Sequence, residues 1–78
     1  MRLSVEGAGS PELPLRLLNL LAQHDTVVEH AVLTLEDDGY RIRLDTAPVA
    51  AARGELIVEK IRAMVLVRAV SVLDREIA

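Results

Sequence analysis

The two histidines lie near each other in the sequence, and each has an acidic neighbour. His24 precedes Asp25, and His30 follows Glu29. Histidine and carboxylate side chains can together bind a metal ion or transfer protons. The same positions suit two structural roles, with His24 at the C-terminal end of a helix and His30 on the outer face of a strand. We favour the structural roles and predict neither a metal site nor a catalytic residue.

The remaining reactive side chains do not form an arrangement typical of an enzyme. Residues 36–38 are acidic, as in some cation sites, but Gly39 follows them, and this order is typical of a turn. The serines lack a histidine and an acid at the spacing of a catalytic triad. The chain has no cysteine, which excludes thiol catalysis and the paired cysteines of a copper chaperone. We predict a non-catalytic protein without a cofactor.

The segment 7–12 is the best candidate for a ligand site. Gly7-Ala8-Gly9 precedes Ser10-Pro11-Glu12, which reads as a capping serine, a proline at the first helical position and an acid near the positive end of the helix dipole. Backbone N–H groups at a helix start can bind an anion, and simple turn geometry is the alternative interpretation. We name Gly9, Ser10 and Glu12 as candidate ligand-binding residues, with the condition that a ligand carboxylate avoids Glu12.

Length and composition predict one small domain that self-associates. The chain has 78 residues, 51% of them hydrophobic, and Tyr40 is its single aromatic residue. A domain of this size buries only about 60% of the surface of its extended chain. Without disulfides, a second subunit is the remaining source of stability.

Charge and composition also exclude several classes of partner. The net charge is −3, and acidic and basic residues are interspersed along the chain. This pattern is unlike a phosphate-binding surface, and the stacking aromatic residues of RNA-binding domains are absent. The chain shows neither a signal peptide nor a membrane span, so we expect a cytoplasmic location.

Hydrophobic periodicity predicts four strands and two helices. Alternation predicts strands at 2–6, from Thr26 to Leu35, from Tyr40 to Asp45, and at 65–73. The second and third of these strands form a hairpin with a loop of two or four residues. Helical spacing predicts a first helix with the apolar residues Leu13, Leu17, Leu18, Leu20 and Leu21, and a second helix, after Pro48, with Leu56, Ile57, Ile61 and Met64.

This element order predicts an α+β fold of the ferredoxin-like βαββαβ type. The four strands form an antiparallel sheet of order 4-1-3-2, with both helices on one face. We expect a single domain over residues 1–78, with a core at 2–73 and a loose tail at 74–78. The sheet face away from the helices carries Arg2, Glu6 and Arg41, and we expect ion pairs between neighbouring strands there.

At this level the chain resembles the ACT domain family. The resemblance covers residues 2–73 and is carried by the glycine-containing loop and the helix segment Leu17-Leu18-Asn19-Leu20-Leu21-Ala22-Gln23. Pro11-Glu12-Leu13 stands where many ACT domains have a glycine-containing motif, so Glu12 replaces the glycine that admits an amino-acid ligand. A similar Pro-Glu pair opens this helix in the small regulatory subunit of acetohydroxyacid synthase.

The resemblance implies a regulatory homodimer. In side-by-side ACT dimers an edge strand and the first helix meet their symmetry mates, which makes Val28, His30 and Val32 the expected interface residues. A small amino acid would bind at this interface, and a larger metabolic enzyme subunit would be the regulated partner. Two alternatives remain: a ligand-free structural adaptor, and a small enzyme or ligand carrier that uses the Gly9-Ser10 loop with His30 as a polar partner across the interface.

Overall fold

The predicted element order is confirmed. The computed structural model describes residues 1–74. Along the chain these residues form β1 (Arg2–Gly7), α1 (Glu12–Gln23), β2 (Val28–Glu36), β3 (Gly39–Thr46), α2 (Ala51–Arg62) and β4 (Val67–Val72). Residues 75–78 of the predicted tail lie outside the described part of the chain. Asp74, the first residue of that segment, accepts a hydrogen bond at 2.9 Å from the N–H group of Arg2.

The four strands form one antiparallel sheet with the predicted topology. Their order is β2-β3-β1-β4, which is 4-1-3-2 read from the other edge. The hairpin loop between β2 and β3 has two residues, because Glu36 pairs directly with Gly39. Leu33 lies opposite Ile42, and Leu35 opposite Tyr40, so the apolar residues of the two strands share one face as predicted.

The core lies between this sheet face and the two helices. Its fully or nearly buried apolar residues come from β1, β3, α1 and α2: Leu3, Val5, Ile42, Leu44, Leu13, Leu17, Leu21, Ile57, Val58 and Ile61. Both helices contribute to the same cluster, so both cover the same face of the sheet. On α2 the prediction of Leu56 as a core residue was wrong. The buried positions are Gly54, Ile57, Val58 and Ile61. Compared with the predicted stripe, α2 is rotated about its axis, and Leu56 is half exposed.

The ends of α1 have defined capping interactions. Ser10 acts as predicted, since its Oγ accepts a hydrogen bond from the N–H group of Glu12 at 3.2 Å. The helix ends in a Schellman motif around Asp25, in which Thr26 N–H donates to Leu21 O at 2.9 Å. Asp25 has φ = 52°, in the left-handed region that glycine adopts with less strain. This cap directs the chain into β2.

β4 is shorter than predicted. The strand begins at Val67 rather than Val65, because residues 64–67 form a turn closed by the hydrogen bond from Val67 N–H to Met64 O. Val65 lies in this turn and is exposed. The register between β1 and β4 shifts at Glu6 and Gly7, which leaves Arg68 without an opposite residue on β1. This irregularity explains why Arg68 interrupts the apolar alternation of the strand.

Candidate functional site

The loop between β1 and α1 is held in place by close backbone packing. Ala8 N–H donates a hydrogen bond to Leu66 O at 2.9 Å. A Cβ atom on Gly7 would lie 2.2 Å from the same carbonyl oxygen, so any other residue would displace the backbone there. The glycine therefore allows β1 to meet the segment before β4, and it fixes where the rest of the loop begins.

The next two residues of the loop present free backbone donors. The carbonyl oxygen of Ser10 accepts a hydrogen bond from Leu13 N–H at 3.1 Å, and its hydroxyl oxygen is occupied by Glu12 N–H. Within residues 1–74, the N–H groups of Gly9 and Ser10 donate to no other protein atom. Two adjacent donors thus lie at the positive end of the α1 dipole, an arrangement that suits a small anionic or carbonyl-bearing group.

The end of the β2–β3 hairpin forms one wall of this loop. A Cβ atom on Gly9 would lie 3.3 Å from Leu35 Cδ1 and 3.6 Å from the Cα atom of Gly39. Arg68 supports the hairpin from β4, since its Nη1 atom donates to Asp38 O at 2.7 Å and its Nη2 atom lies 3.7 Å from Asp38 Oδ2. Sequence reasoning did not connect Leu35 and Arg68 with the loop. The charge that interrupts β4 was the available signal for Arg68.

Glu12 has a cationic partner on its own helix. Its Oε2 atom lies 3.0 Å from Arg16 Nη2, one helical turn further along α1, and both side chains are exposed. The carboxylate is therefore directed along the outside of α1. A negatively charged ligand at the N–H groups of Gly9 and Ser10 would still meet this charge within the first turn of the helix.

His30 is separated from the loop within one chain. Its side chain is exposed on the sheet face away from the helices, and its Nδ1 atom lies 3.8 Å from Asp45 Oδ2. Leu35, the β2 residue that contacts the loop, lies at the other end of the strand and faces the helix side. The structure therefore brings Gly9, Ser10 and Glu12 together and does not bring His30 to them. His24 is partly buried at the C-terminal end of α1.

The sheet face away from the helices carries the predicted ion pairs between strands. Arg2 Nε lies 3.0 Å from Asp45 Oδ1, and Arg41 Nη2 lies 3.2 Å from Glu6 Oε1 and 3.5 Å from Glu36 Oε1. These contacts join β1 to β3 and β3 to β2. They are exposed pairs of the kind that contributes little to stability individually but fixes the pattern of charges on the face.

β2 is the most exposed strand of the sheet. Every residue from 29 to 36 is exposed, although the strand has the same apolar alternation as its buried neighbour β3. Leu33 is 46% and Leu35 is 64% exposed on the side of the helices. Among the described residues, no strand pairs with the outer edge of β2. The residues predicted for a dimer interface, Val28, His30 and Val32, all lie on this strand.

A small ligand at the loop would be only partly enclosed by one chain. A surface groove lies elsewhere, between α2 and β4, and is lined in part by Met1, Val58 and Val72. A second depression lies between His24 and Arg53. Neither includes Gly9 or Ser10, whereas most small-molecule sites bury at least about 70% of the ligand surface.

Two further features bear on the kind of site present. Within residues 1–74, no group of three or more histidine, aspartate or glutamate side chains is close enough to hold a metal ion. In the same part of the chain, neither helix has the length and apolar character needed to cross a bilayer.

Comparison with solved structures supports the fold. The chain is similar to the ACT domain of a GTP pyrophosphokinase from Chlorobium tepidum, with a TM-score of 0.77 and 16% sequence identity over 90% of this chain and 91% of that one. It is also similar to the C-terminal domain of the MgtC protein from Mycobacterium tuberculosis, with a TM-score of 0.72 and 16% identity over 90% and 80% of the two chains. At this identity the likeness shows the fold alone.

Comparison at the level of sequence gives the family. A search of curated proteins gave no match. A family model described as an ACT-like domain matches residues 1–76, which is nearly the whole chain. Domains of this kind are generally regulatory and bind small molecules. This match, together with the βαββαβ sheet of order β2-β3-β1-β4, shows that the chain belongs to the ACT-like domain family.

Proposed function

We propose that the chain is a non-catalytic regulatory domain that works as a homodimer and senses a small polar metabolite, such as an amino acid. The dimer forms through β2, and the ligand binds at the loop between β1 and α1. The regulated partner would be a larger enzyme subunit of amino-acid metabolism. Family membership supports the regulatory role, and the exposed β2 beside the loop is the observation that carries the proposal.

The exposure of β2 favours association. A long edge strand with exposed apolar side chains is a surface that proteins usually cover or protect with lysine, proline or a bulge. β2 has neither lysine nor proline, and its single register shift lies at its beginning, between Val28 and His30. A second subunit would cover Leu33 and Leu35 and supply stability that a small core lacks.

The loop favours a ligand with a carboxylate or a carbonyl group. The free N–H groups of Gly9 and Ser10 would bind this group, and the hairpin end at Leu35 would contact the remainder of the ligand. Because one chain encloses the loop only partly, a second subunit at β2 would complete the site. Glu12 would favour ligands that also carry a positive charge, as the amino group of an amino acid does.

A ligand-free structural adaptor is the second candidate function. Two observations favour it: the Ser10 hydroxyl is already used as a helix cap, and the Glu12 charge lies close to the free N–H groups. In this function the dimer would present a binding surface to its partner, and no metabolite would be needed.

Thermal unfolding with added amino acids distinguishes the two candidates. Each of the standard amino acids is added at millimolar concentration, and the melting temperature of the wild type is compared with those of Gly9→Ala and Gly54→Ala. Gly9→Ala places a methyl group beside the free donors, whereas Gly54→Ala is a matched change on α2, where the new atom makes only ordinary contacts of 3.5 Å with Met1 and Val49. The sensor is supported when one amino acid raises the melting temperature of the wild type and of Gly54→Ala but not of Gly9→Ala.

Two other results would count against the sensor. If no amino acid raises the melting temperature, the ligand-free adaptor is the better account. If an amino acid stabilises all three proteins equally, the ligand binds away from the loop.

A further inference from the structure

β4 leaves the edge of the sheet opposite to β2 open. Within residues 1–74 this strand pairs with β1 alone. Leu73 N–H donates a hydrogen bond to Arg2 O at 2.8 Å, so every second residue of β4, counted back from Leu73, is bonded to β1. The N–H and C=O groups of Val70 and Val72 are therefore directed to the outer edge, where an added strand would bond them.

The core holds β4 in place, in contrast to the exposed β2. Val67, Val70 and Val72 are partly buried and pack against the hydrophobic cluster between the sheet and the helices. The register shift at Glu6 and Gly7 fixes where the regular part of the strand begins. The outer edge of β4 is thus formed already in one chain, and a segment that adds to it has to order only itself.

A groove runs along the open side of β4, between this strand and α2. Its volume is about 1090 Å³, above the range of about 300–1,000 Å³ that is typical of small-molecule pockets. Val49, Val58 and Val72 are among its apolar lining residues. A strand added to β4 would direct every second side chain into this groove and the others to the open sheet face. The groove therefore suits several residues of extended chain.

The rim of the groove is acidic. Glu55, Glu59 and Asp74 line it, with Arg62 as the one cationic side chain. Arg62 pairs with Glu59, and the α-ammonium group of Met1 lies 4.0 Å from Asp74 Oδ2. Glu55 makes no ion pair within residues 1–74, and it lies one helical turn from Glu59, a spacing at which like charges repel. The groove is therefore complementary to a cationic side chain beside Glu55.

We propose that the groove between β4 and α2 binds an extended, basic segment of a partner protein, which adds to β4 as a fifth strand. The segment is held by backbone hydrogen bonds to Val70 and Val72, its apolar side chains enter the groove, and a lysine or arginine pairs with Glu55. Neither the homodimer nor the ligand loop is needed for this binding, because β2 and β4 are opposite edges of the sheet. Both edges can be occupied at the same time.

Selection from a phage-displayed peptide library, with the full chain as bait, tests the proposal. The library holds random peptides of about ten residues, longer than a typical strand of about 5–6 residues. The enriched peptides are expected to alternate apolar with other residues and to carry lysine or arginine. Each is then synthesised with a fluorescent label, and its Kd is measured by fluorescence anisotropy. No enrichment, or an enriched set without basic residues, would overturn the proposal.

Two charge reversals locate the bound peptide. Glu55→Lys should raise the Kd at least about tenfold, because it places a cation where the basic side chain binds. Asp37→Lys makes the same change of charge in the hairpin turn, away from the groove, and should leave the Kd within about twofold. Both side chains are exposed, so neither change touches the core. Peptides that bind Glu55→Lys as tightly as the wild type lie elsewhere, and the proposal is then wrong.

Methylation of the peptide backbone shows whether the peptide binds as a strand. In a strand added to an edge, only every second N–H group donates to that edge. N-methylation at these positions should raise the Kd at least about tenfold, whereas N-methylation at the intervening positions should have little effect. Equal effects at successive positions would show that the peptide does not extend the sheet and would overturn the fifth strand.

Discussion

β2 and β3 have the same sequence pattern but opposite surroundings. In both strands an apolar residue alternates with a polar or smaller one, and their apolar residues share one sheet face. Ile42 and Leu44 on β3 are 1% exposed, whereas Leu33 and Leu35 on β2 are about half exposed. Alternation thus tells which face of a strand is apolar, and the position of the helices decides whether one chain can cover that face.

The largest expected effect comes from truncating equivalent leucines on the two strands. Leu44→Ala should lower the free energy of unfolding by about 3 kcal/mol, because it opens a cavity in the core. Leu33→Ala should cost less than about 1 kcal/mol at low protein concentration, since its side chain has little to lose in a single chain. Urea unfolding at a protein concentration too low for the proposed dimer to form measures both.

The same two variants, Leu33→Ala and Leu44→Ala, can be unfolded again at higher protein concentration to test whether a second copy covers β2. If β2 is covered by a second copy, the cost of Leu33→Ala grows with concentration while that of Leu44→Ala changes little. Equal costs for the two variants at low concentration would show that Leu33 is already buried in the single chain and would contradict the exposed β2.

The next largest effect on stability is expected in the turn that joins β2 and β3. Gly39 has φ = 132°, and a Cβ atom there would lie 2.1 Å from Gly7 O. Gly39→Ala should therefore destabilise the chain by about 2 kcal/mol or more. Gly54→Ala is the matched control, because nothing lies closer than 3.5 Å to its new atom, and it should stabilise α2 by about 1 kcal/mol. Thermal unfolding of both variants checks the opposite signs, and destabilisation by Gly54→Ala would be inconsistent with the packing of α2.

A smaller effect is expected where α1 leads into β2. Asp25 adopts a left-handed conformation that glycine reaches with less strain. Asp25→Gly should raise the free energy of unfolding by roughly 0.5–1 kcal/mol. Urea unfolding measures it, with Asp37→Gly in the hairpin turn as a matched change outside the helix cap. A loss of stability in Asp25→Gly would show that the aspartate side chain contributes more than the strain costs.

The smallest effect concerns Asp74 beyond β4. The hydrogen bond from the Arg2 N–H group, and to a smaller extent the α-ammonium group of Met1, lowers the pKa of this carboxyl below its ordinary value of 3.8. A lowered pKa contributes stability above pH 3.8 that is lost as the pH falls through the folded-state value. Asp74→Asn should therefore be slightly less stable than wild type at neutral pH, and the difference should shrink in strong acid. Melting temperatures between pH 2 and pH 7 test this, and a constant difference would contradict it.

Most of the fold could be predicted from the sequence because single residues mark its local boundaries. Ser10 caps α1, Gly39 closes the hairpin, and alternation identifies the apolar faces of β1 and β3. Leu56 was misplaced because several apolar residues on α2 fit a helical stripe equally well. The neighbours that select Val58 instead belong to other elements of the chain. Periodicity alone cannot choose between two such rotations of a helix.

The candidate site could be predicted only in part. The segment 7–12 is continuous in the chain, so its local geometry follows from its own residues. Leu35 comes to the loop through the hairpin, and Arg68 reaches Asp38 of that hairpin from the irregular start of β4. Both contacts join segments that are distant in the sequence, and only Arg68 had a signal, the charge that interrupts β4. His30 was expected to reach the loop from across an interface, and this expectation depends on a second copy. A single chain places it on the opposite sheet face.

Sedimentation velocity of the wild type and of Leu33→Lys, from about 1 to 100 μM, tests the central claim that a second copy covers β2. The wild type is expected to sediment as a dimer at the upper end of this range, and Leu33→Lys, which places a charge on the outer strand, as a folded monomer throughout. A monomeric wild type at every concentration, or a dimer that Leu33→Lys leaves intact, would contradict the claim.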